Sequence, residues 1–216
     1  MQELVLFIGD SITDCKRDRE DDASLGSGYA SFAVPRLSLD APGKYRFLNR
    51  GIGGNCLFDI LPRLEKDVIQ NKPDYMSILA GANDCSLGSM ARISDLAKRY
   101  EGLYCLCIEK CRDALPELRM FILSPFLLPH PQLDITYESF PYLSGKVLCE
   151  QMDELAQTAG KVAEKYSLPF VNLHDKFREA LKMAPAEYWS HDGYHPTVAG
   201  HELIAREWRK IFDKVR

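Results

Sequence analysis

The amino-acid sequence predicts a layered α/β/α domain built around a parallel β-sheet. Five short apolar segments alternate along the chain with longer segments of helical pattern. The first and fourth apolar segments are continuously apolar, which is typical of strands covered on both faces. Strands that alternate with helices are joined by right-handed crossovers and form layers. Because no Pro-, Gly- or Ser-rich linker divides the 216 residues, we expect one domain over residues 1–216.

Strands and helices can be assigned in chain order from these patterns. The expected strands cover residues 4–8, 45–48, 75–79, 120–123 and 169–173. The expected helices cover residues 57–69, 94–115, 144–166 and 197–215. In the last of them, a single apolar stripe is formed at helical spacing by Val198, Ile204, Trp208, Ile211 and Val215.

Two segments depart from the alternation of strands and helices. Residues 16–22 are seven consecutive charged residues of mixed sign, which favours a solvated loop. The segment 125–143 contains four prolines and is too rich in proline for a helix. Long loops inside compact domains are usually functional or disordered, and the aromatic residues of this segment argue against disorder.

Composition and charge exclude several classes of protein. Hydrophobic residues make up 46% and charged residues 27% of the chain, which is ordinary for a globular protein and excludes disorder and collagen. With 27 Lys+Arg against 31 Asp+Glu, the net charge is -4, so we expect no nucleic-acid partner. No apolar stretch approaches the ~20 residues that a membrane helix needs. We therefore expect no membrane partner either.

The start of the chain and its cysteines predict the compartment. The apolar run at residues 4–8 has no basic segment before it and no small-residue cleavage site after it, so we expect no signal peptide. The seven cysteines are an odd number in a chain large enough to bury a core without disulfides. Reduced thiols in a cytoplasmic protein are the expected state.

Small, polar and ionisable residues follow each expected strand. In an open parallel sheet, ligands bind at the carboxyl ends of the strands, where the loops meet at one edge. We therefore expect an active site at this edge. The segments that come together there are residues 9–14, 49–55, 81–84, 124–126 and 190–196.

The residue types gathered at this edge suit acyl transfer. Ser11 on a tight turn is the candidate nucleophile, His195 is the candidate base, and Asp192 is close enough to orient the imidazole. The backbone N–H groups of Ser11 and Gly54 and the amide of Asn83 are candidate donors to the oxyanion. The Gly-x-Ser-x-Gly elbow, the Walker loop and the dinucleotide-binding pattern of other α/β enzymes are missing from the sequence.

Four blocks of the sequence resemble the SGNH hydrolases, also called the GDSL-like lipase/acylhydrolase family. The blocks are GDSITD at 9–14, NRGIGGN at 49–55, GAND at 81–84 and DGYHP at 192–196. The resemblance implies a flavodoxin-like three-layer α/β/α sandwich with a five-stranded parallel sheet, and neither a metal nor an organic cofactor. It assigns the same catalytic and oxyanion roles to Ser11, Gly54, Asn83, Asp192 and His195.

A narrower resemblance is to intracellular carbohydrate acetylesterases, such as xylo-oligosaccharide deacetylases. It rests on residues 9–15, on LGSGY at 25–29, on KPD at 72–74 and on HPTVAGH at 195–201. This resemblance implies an acetylated oligosaccharide as the small-molecule ester substrate. Gly53 stands where the family usually has serine, and because glycine adds backbone freedom we expect a looser oxyanion loop.

Further residues at this edge are candidates for contact with the substrate. Trp189 and Tyr194 can line an acyl or sugar pocket, and Asp10 is a third candidate, although it can instead brace the turn by accepting backbone hydrogen bonds. His191, beside Asp192, is a candidate second ionisable group.

The cysteines divide into groups with different interpretations. Cys15, Cys56 and Cys85 each follow one of the first three blocks, and a redox or metal site stays open for them beside ordinary packing. Cys105, Cys107 and Cys111 lie on one expected helix, where core packing is favoured.

The sequence thus predicts a serine ester hydrolase that removes short acyl groups, acetate first, from a carbohydrate. A broad-specificity short-chain lipase or thioesterase is the alternative among enzymes. A catalytically inactive binding module and a flavodoxin-like electron carrier are the alternatives from other classes. A homo-oligomer is left open.

Overall fold

The computed structural model describes residues 2–216 and places five strands in one sheet. The strands are β1 (Glu3–Gly9), β2 (Tyr45–Gly51), β3 (Tyr75–Leu79), β4 (Arg119–Leu123) and β5 (Phe170–Val171). Their order is β2-β1-β3-β4-β5, and every neighbouring pair is parallel. The α/β class and the five-stranded parallel sheet that the sequence predicts are confirmed.

Strand β1 pairs with a neighbour on both of its edges. Leu6 lies opposite Leu48 of β2 and Met76 of β3. Every residue of β1 after Glu3 is buried, which explains why this segment is apolar without alternation. Strand β5 has two residues instead of the expected five, because Asn172 already caps the next helix by accepting the N–H of Asp175.

Helices surround the sheet and form two layers. They are α1 (Ser11–Asp14), α2 (Tyr29–Asp40), α3 (Leu57–Leu64), α4 (Ala82–Met90), α5 (Leu96–Ala114), α6 (Pro131–Thr136), α7 (Gly145–Lys165), α8 (Leu173–Ala180), α9 (Ala186–Trp189) and α10 (Val198–Val215). Helix α10 packs against α2, while α5 packs against α3 and α7. None of the helices within residues 2–216 is long and apolar enough to cross a membrane.

The four predicted helices are present with shifted ends. Helices α5, α7 and α10 match the expected segments within two residues at each end. The expected helix at 57–69 is α3 followed by a π-helical turn, Glu65–Ile69. Helices α1, α6 and α9 have six residues or fewer, too few for a periodic pattern to show in the sequence.

The proline-rich segment 125–143 contains a helix that the sequence did not predict. Helix α6 begins with Pro131 at its first position, where the missing N–H costs no hydrogen bond. His130 caps the helix by accepting the N–H of Gln132. The expectation of a loop without a helix was therefore wrong for these six residues.

Trp208 lies at the centre of the aromatic core between the sheet and α10. Its ring stacks on Phe7 of β1 and on Phe212, with centroids 4.8 Å apart in both pairs. Ile204 and Ile211 are buried on the same helix, as the predicted stripe requires. Val198 is 75% exposed, so its assignment to that stripe was wrong; its side chain lines a surface cavity instead.

Candidate active site

Ser11 follows strand β1 directly and begins the short helix α1. Asp10 precedes it and accepts the N–H of Ile12 at 3.0 Å, which fixes the turn. Asp10 has no exposed surface with which to contact a substrate in this structure, whereas the bracing role fits its hydrogen bond. Burial raises the pKa of Asp10 to about 7, because the charged carboxylate is poorly solvated there.

His195 and Asp192 lie on the loop that connects α9 to α10. The Nε2 atom of His195 is 3.0 Å from the Oγ atom of Ser11, and the Nδ1 atom is 2.7 Å from an Asp192 carboxylate oxygen. The other carboxylate oxygen of Asp192 accepts the backbone N–H groups of Tyr194 and His195. Since Asp192 accepts from Nδ1, the neutral ring presents an unprotonated Nε2 to Ser11.

The charges of Asp192 and His195 support each other. Burial alone would raise the pKa of Asp192, but hydrogen bonds from the ring and backbone of His195 outweigh burial and lower the pKa to about 2. The same hydrogen bond to Asp192 raises the pKa of His195 above its ordinary value of 6.5. Asp192 is therefore ionised at every ordinary working pH, and its charge favours the protonated form of His195.

Three candidate oxyanion donors come from three different segments. Asn83, at the start of α4, donates one amide hydrogen to the carbonyl of Asn55 at 3.0 Å, which leaves its second hydrogen available. Within residues 2–216, the N–H groups of Ser11 and Gly54 have no acceptor. Gly54 has φ +83°, a conformation that glycine adopts without strain.

The loop that carries Gly54 is anchored rather than loose. The N–H of Gly53 donates to the Asp14 carboxylate at 3.0 Å. Asp14 also forms an ion pair with Arg19, and Arg17 donates to the carbonyl of Gly51 at 3.0 Å. The charged segment 16–22 is thus more than a solvated loop, because two of its arginines hold the ends of the oxyanion loop in place.

Arg63 of α3 connects the segments that precede the candidate catalytic groups. Its guanidinium donates to the carbonyls of Gly9 (3.0 Å) and Arg50 (2.7 Å), while its Nε donates to the side chain of Asn55 at 2.8 Å. Asp67, four residues further on, pairs with the same guanidinium. Arg63 was not singled out from the sequence. The one sequence feature that points to it is the acidic residue Asp67 four positions later, a spacing at which opposite charges pair on a helix.

Two cavities meet at Ser11 and His195. The larger cavity, about 500 Å³, is lined by Ile12, Cys15, His191, Pro196, Val198 and His201 among others. The smaller cavity, about 230 Å³, is lined by Asn83, Ser86, Leu133, Tyr137 and Tyr194 among others. Two of the predicted peripheral residues therefore reach this surface, Tyr194 in the smaller cavity and His191 in the larger.

Trp189 does not reach either cavity. It is 9% exposed, and its indole N–H donates to the carbonyl of Ala184. Ser86, which sequence reasoning did not single out, contributes a hydroxyl to the smaller cavity instead. It lies three residues after Asn83 on α4, a spacing that places both side chains on one face of a helix.

The three cysteines near this edge have separate surroundings. Cys15 lies 3.4 Å from the Nε2 atom of His201 in the larger cavity, Cys56 is the N-cap residue just before α3, and Cys85 is buried against the carbonyl of Leu148. Burial raises the pKa of Cys56 and of Cys85 to about 12. Among residues 2–216, no cluster of three or more His, Cys, Asp or Glu side chains is arranged to hold a metal.

The fold and this constellation define a class of protein. A serine in line with an imidazole and a carboxylate, beside converging N–H donors, is what acyl transfer through a serine requires. The GDSL-like lipase/acylhydrolase family matches residues 7–203 of this chain. The chain belongs to that family, and it is a carboxylic ester hydrolase.

Similar proteins cover nearly the whole chain. An acetylxylan esterase from Geobacillus stearothermophilus is 32% identical over 225 aligned residues, which cover 99% of this chain and 96% of the relative. A protein from Parabacteroides merdae, described as a GDSL-like lipase, is 31% identical with a TM-score of 0.86 over 99% of this chain and 97% of its own. The structure of a catalytic serine-to-alanine mutant of the Geobacillus acetylxylan esterase Axe2 is 29% identical in sequence, with a TM-score of 0.82. The match covers 97% of this chain and 93% of the Axe2 chain.

Of the two adjacent glycines in the oxyanion loop, Gly54 has a positive φ and Gly53 does not, so alanine substitutions at the two positions test whether the loop needs that conformation. Gly54→Ala forces an alanine to φ +83°, so we expect a loss of about 1–2 kcal/mol of stability and a lower kcat/KM. Gly53→Ala places its Cβ 3.7 Å from the nearest atom, an ordinary contact, and should change both quantities little. Urea unfolding and hydrolysis of p-nitrophenyl acetate measure the two effects. Equal effects of the two variants would contradict the proposed conformational requirement at Gly54.

Proposed function

We propose that this chain removes acetyl groups from a carbohydrate by a serine-dependent mechanism. The 3.0 Å contact between Ser11 and His195, continued to Asp192, is the observation that carries the mechanism. The preference for acetate on a carbohydrate is supported by the full-length similarity to an acetylxylan esterase. The seven free cysteines support the proposed cytoplasmic location, where thiols stay reduced.

Each proposed step uses a group already in position. Ser11 Oγ attacks the ester carbonyl carbon while His195 Nε2 takes its proton. The negative oxygen of the tetrahedral intermediate accepts hydrogen bonds from the N–H groups of Ser11 and Gly54 and from the Asn83 amide. His195 then gives its proton to the departing sugar hydroxyl. Water attacks the acetyl-enzyme with His195 again as base, and acetate is released.

Asp192 stabilises the imidazolium that forms in each of these steps. It holds Nδ1–H, so the ring cannot rotate away from Ser11 or take the other tautomer. Its carboxylate is fixed in turn by the backbone of Tyr194 and His195. The loop therefore supplies both the base and the group that orients it.

Replacing the proposed nucleophile tests the mechanism. Ser11→Ala removes the attacking oxygen, and we expect kcat on p-nitrophenyl acetate to fall by a factor on the order of 10⁴ or more. Ser27→Ala, which removes a hydroxyl lining the larger cavity, is the matched control and should stay within a few-fold of wild type. Wild-type turnover by the Ser11 variant would exclude the mechanism.

The raised pKa of His195 predicts the acid limb of the pH profile. His195 must be neutral to take the Ser11 proton, so kcat/KM should fall as the pH drops through a pKa above 6.5. Asp192→Asn removes the main cause of the shift, so the limb should move to lower pH while the rate also falls. The profile is measured with p-nitrophenyl acetate from pH 4.5 to 9. A limb that stays in place in this variant would contradict the coupling.

An acyl-chain series separates the acetylesterase from the broad lipase or thioesterase. We expect kcat/KM to be highest for acetate and to decline along p-nitrophenyl esters from acetate to palmitate. The apolar walls of the larger cavity, Ile12, Pro196 and Val198, are the feature that would accommodate a longer chain. A maximum at long chains would replace the acetylesterase proposal by the lipase alternative.

A further inference from the structure

Three hydroxyl groups form a hydrogen-bonded chain in the smaller cavity. The Tyr137 hydroxyl lies 2.7 Å from the Ser86 hydroxyl and 3.2 Å from the Tyr194 hydroxyl. We call Ser86, Tyr137 and Tyr194 the hydroxyl chain. All three line the same cavity as Asn83, Ser11 and His195. The hydroxyl chain therefore faces the place where an ester bound at Ser11 would lie.

The hydroxyl chain has more hydrogen-bonding capacity than it uses internally. Each of the three hydroxyls has one hydrogen to donate and two lone pairs that accept. Ser86 also lies within hydrogen-bonding reach of Tyr194, so all three hydrogens can be used within the hydroxyl chain. Even then, three of the six lone pairs are left to accept hydrogen bonds from a molecule in the cavity.

The position of the hydroxyl chain is fixed by the loop that carries the proposed base. Tyr194 immediately precedes His195, and its backbone N–H donates to Asp192. Tyr137 is 5% exposed and is held at the end of α6 by a hydrogen bond to the carbonyl of Leu133. Both tyrosines are thus held on hydrogen-bonded backbone beside the cavity, as a preorganised binding site requires.

We propose that the hydroxyl chain binds the sugar hydroxyls of a carbohydrate ester and so determines the specificity for the alcohol part of the substrate. A sugar ring carries hydroxyls that both donate and accept, which matches a row of groups that do the same. The walls of the larger cavity are apolar over most of their area, and its polar row (Ser27, Cys15 and His201) contains a thiol and an imidazole instead of three hydroxyls. This inference rests on the proposed function, because it assigns the sugar of that substrate to one side of Ser11.

The test compares two acetate esters whose alcohol rings differ in their hydroxyls. Methyl mono-O-acetyl-xylopyranoside carries free sugar hydroxyls, whereas cyclohexyl acetate has a six-membered ring without them. Wild-type enzyme should show a higher kcat/KM for the sugar ester. Tyr137→Phe and Ser86→Ala should each lower the ratio of the two kcat/KM values by about three- to tenfold, the usual effect of one neutral hydrogen bond.

A matched control and three outcomes decide the question. Tyr188→Phe removes a hydroxyl from an exposed tyrosine that lines neither cavity, and the ratio should not change. A wild-type preference that both hydroxyl-chain variants retain would overturn this inference alone. Equal wild-type kcat/KM values for the two esters would overturn the carbohydrate substrate and the inference with it. Variants that change the preference between acetate and butyrate but not the ring preference would place the acyl group in this cavity and overturn the inference.

Discussion

The guanidinium of Arg63, which is 14% exposed, holds together the first two loops of the candidate site. A parallel sheet brings the carboxyl ends of its strands to one edge, but the sheet does not fix the loops beyond those ends. Arg63 donates to the last carbonyls near β1 and β2, at Gly9 and Arg50, and to the side chain of Asn55. The planar guanidinium presents five donors in a rigid fork, and Arg63 uses them to reach these three acceptors at once. The turn with Ser11 and the loop with Gly54 therefore share one support.

A second layer of support comes from the charged segment 16–22. Arg19 pairs with Asp14, whose carboxylate holds the N–H of Gly53, and Arg17 holds the carbonyl of Gly51. The oxyanion loop thus has Arg63 on one side and the charged segment on the other. Donors held in this way need no reorganisation when charge develops on the substrate oxygen. This anchoring explains how a loop with two adjacent glycines can still present the Gly54 N–H in one direction.

The sequence predicted the sheet and the gathering of site residues because both follow from local patterns. Continuous apolar runs identify strands such as β1, and the residues after each strand must meet at the carboxyl edge, as Ser11, Asn83 and His195 do. Arg63 and Arg17 were not predictable, because their partners are backbone carbonyls far away in the chain that leave no mark in the sequence. Val198 was misplaced for a related reason: periodicity cannot tell whether the end of a helix meets the core.

The central claim is that His195 activates Ser11 as a nucleophile. The most direct measurement is the rate and position of covalent labelling by a fluorophosphonate, followed by intact-mass and peptide mass spectrometry. A single adduct on the peptide that contains Ser11, formed far more slowly in His195→Ala, is the result that the 3.0 Å contact predicts. An adduct on another residue, or labelling of Ser11 at the same rate without His195, would contradict the claim.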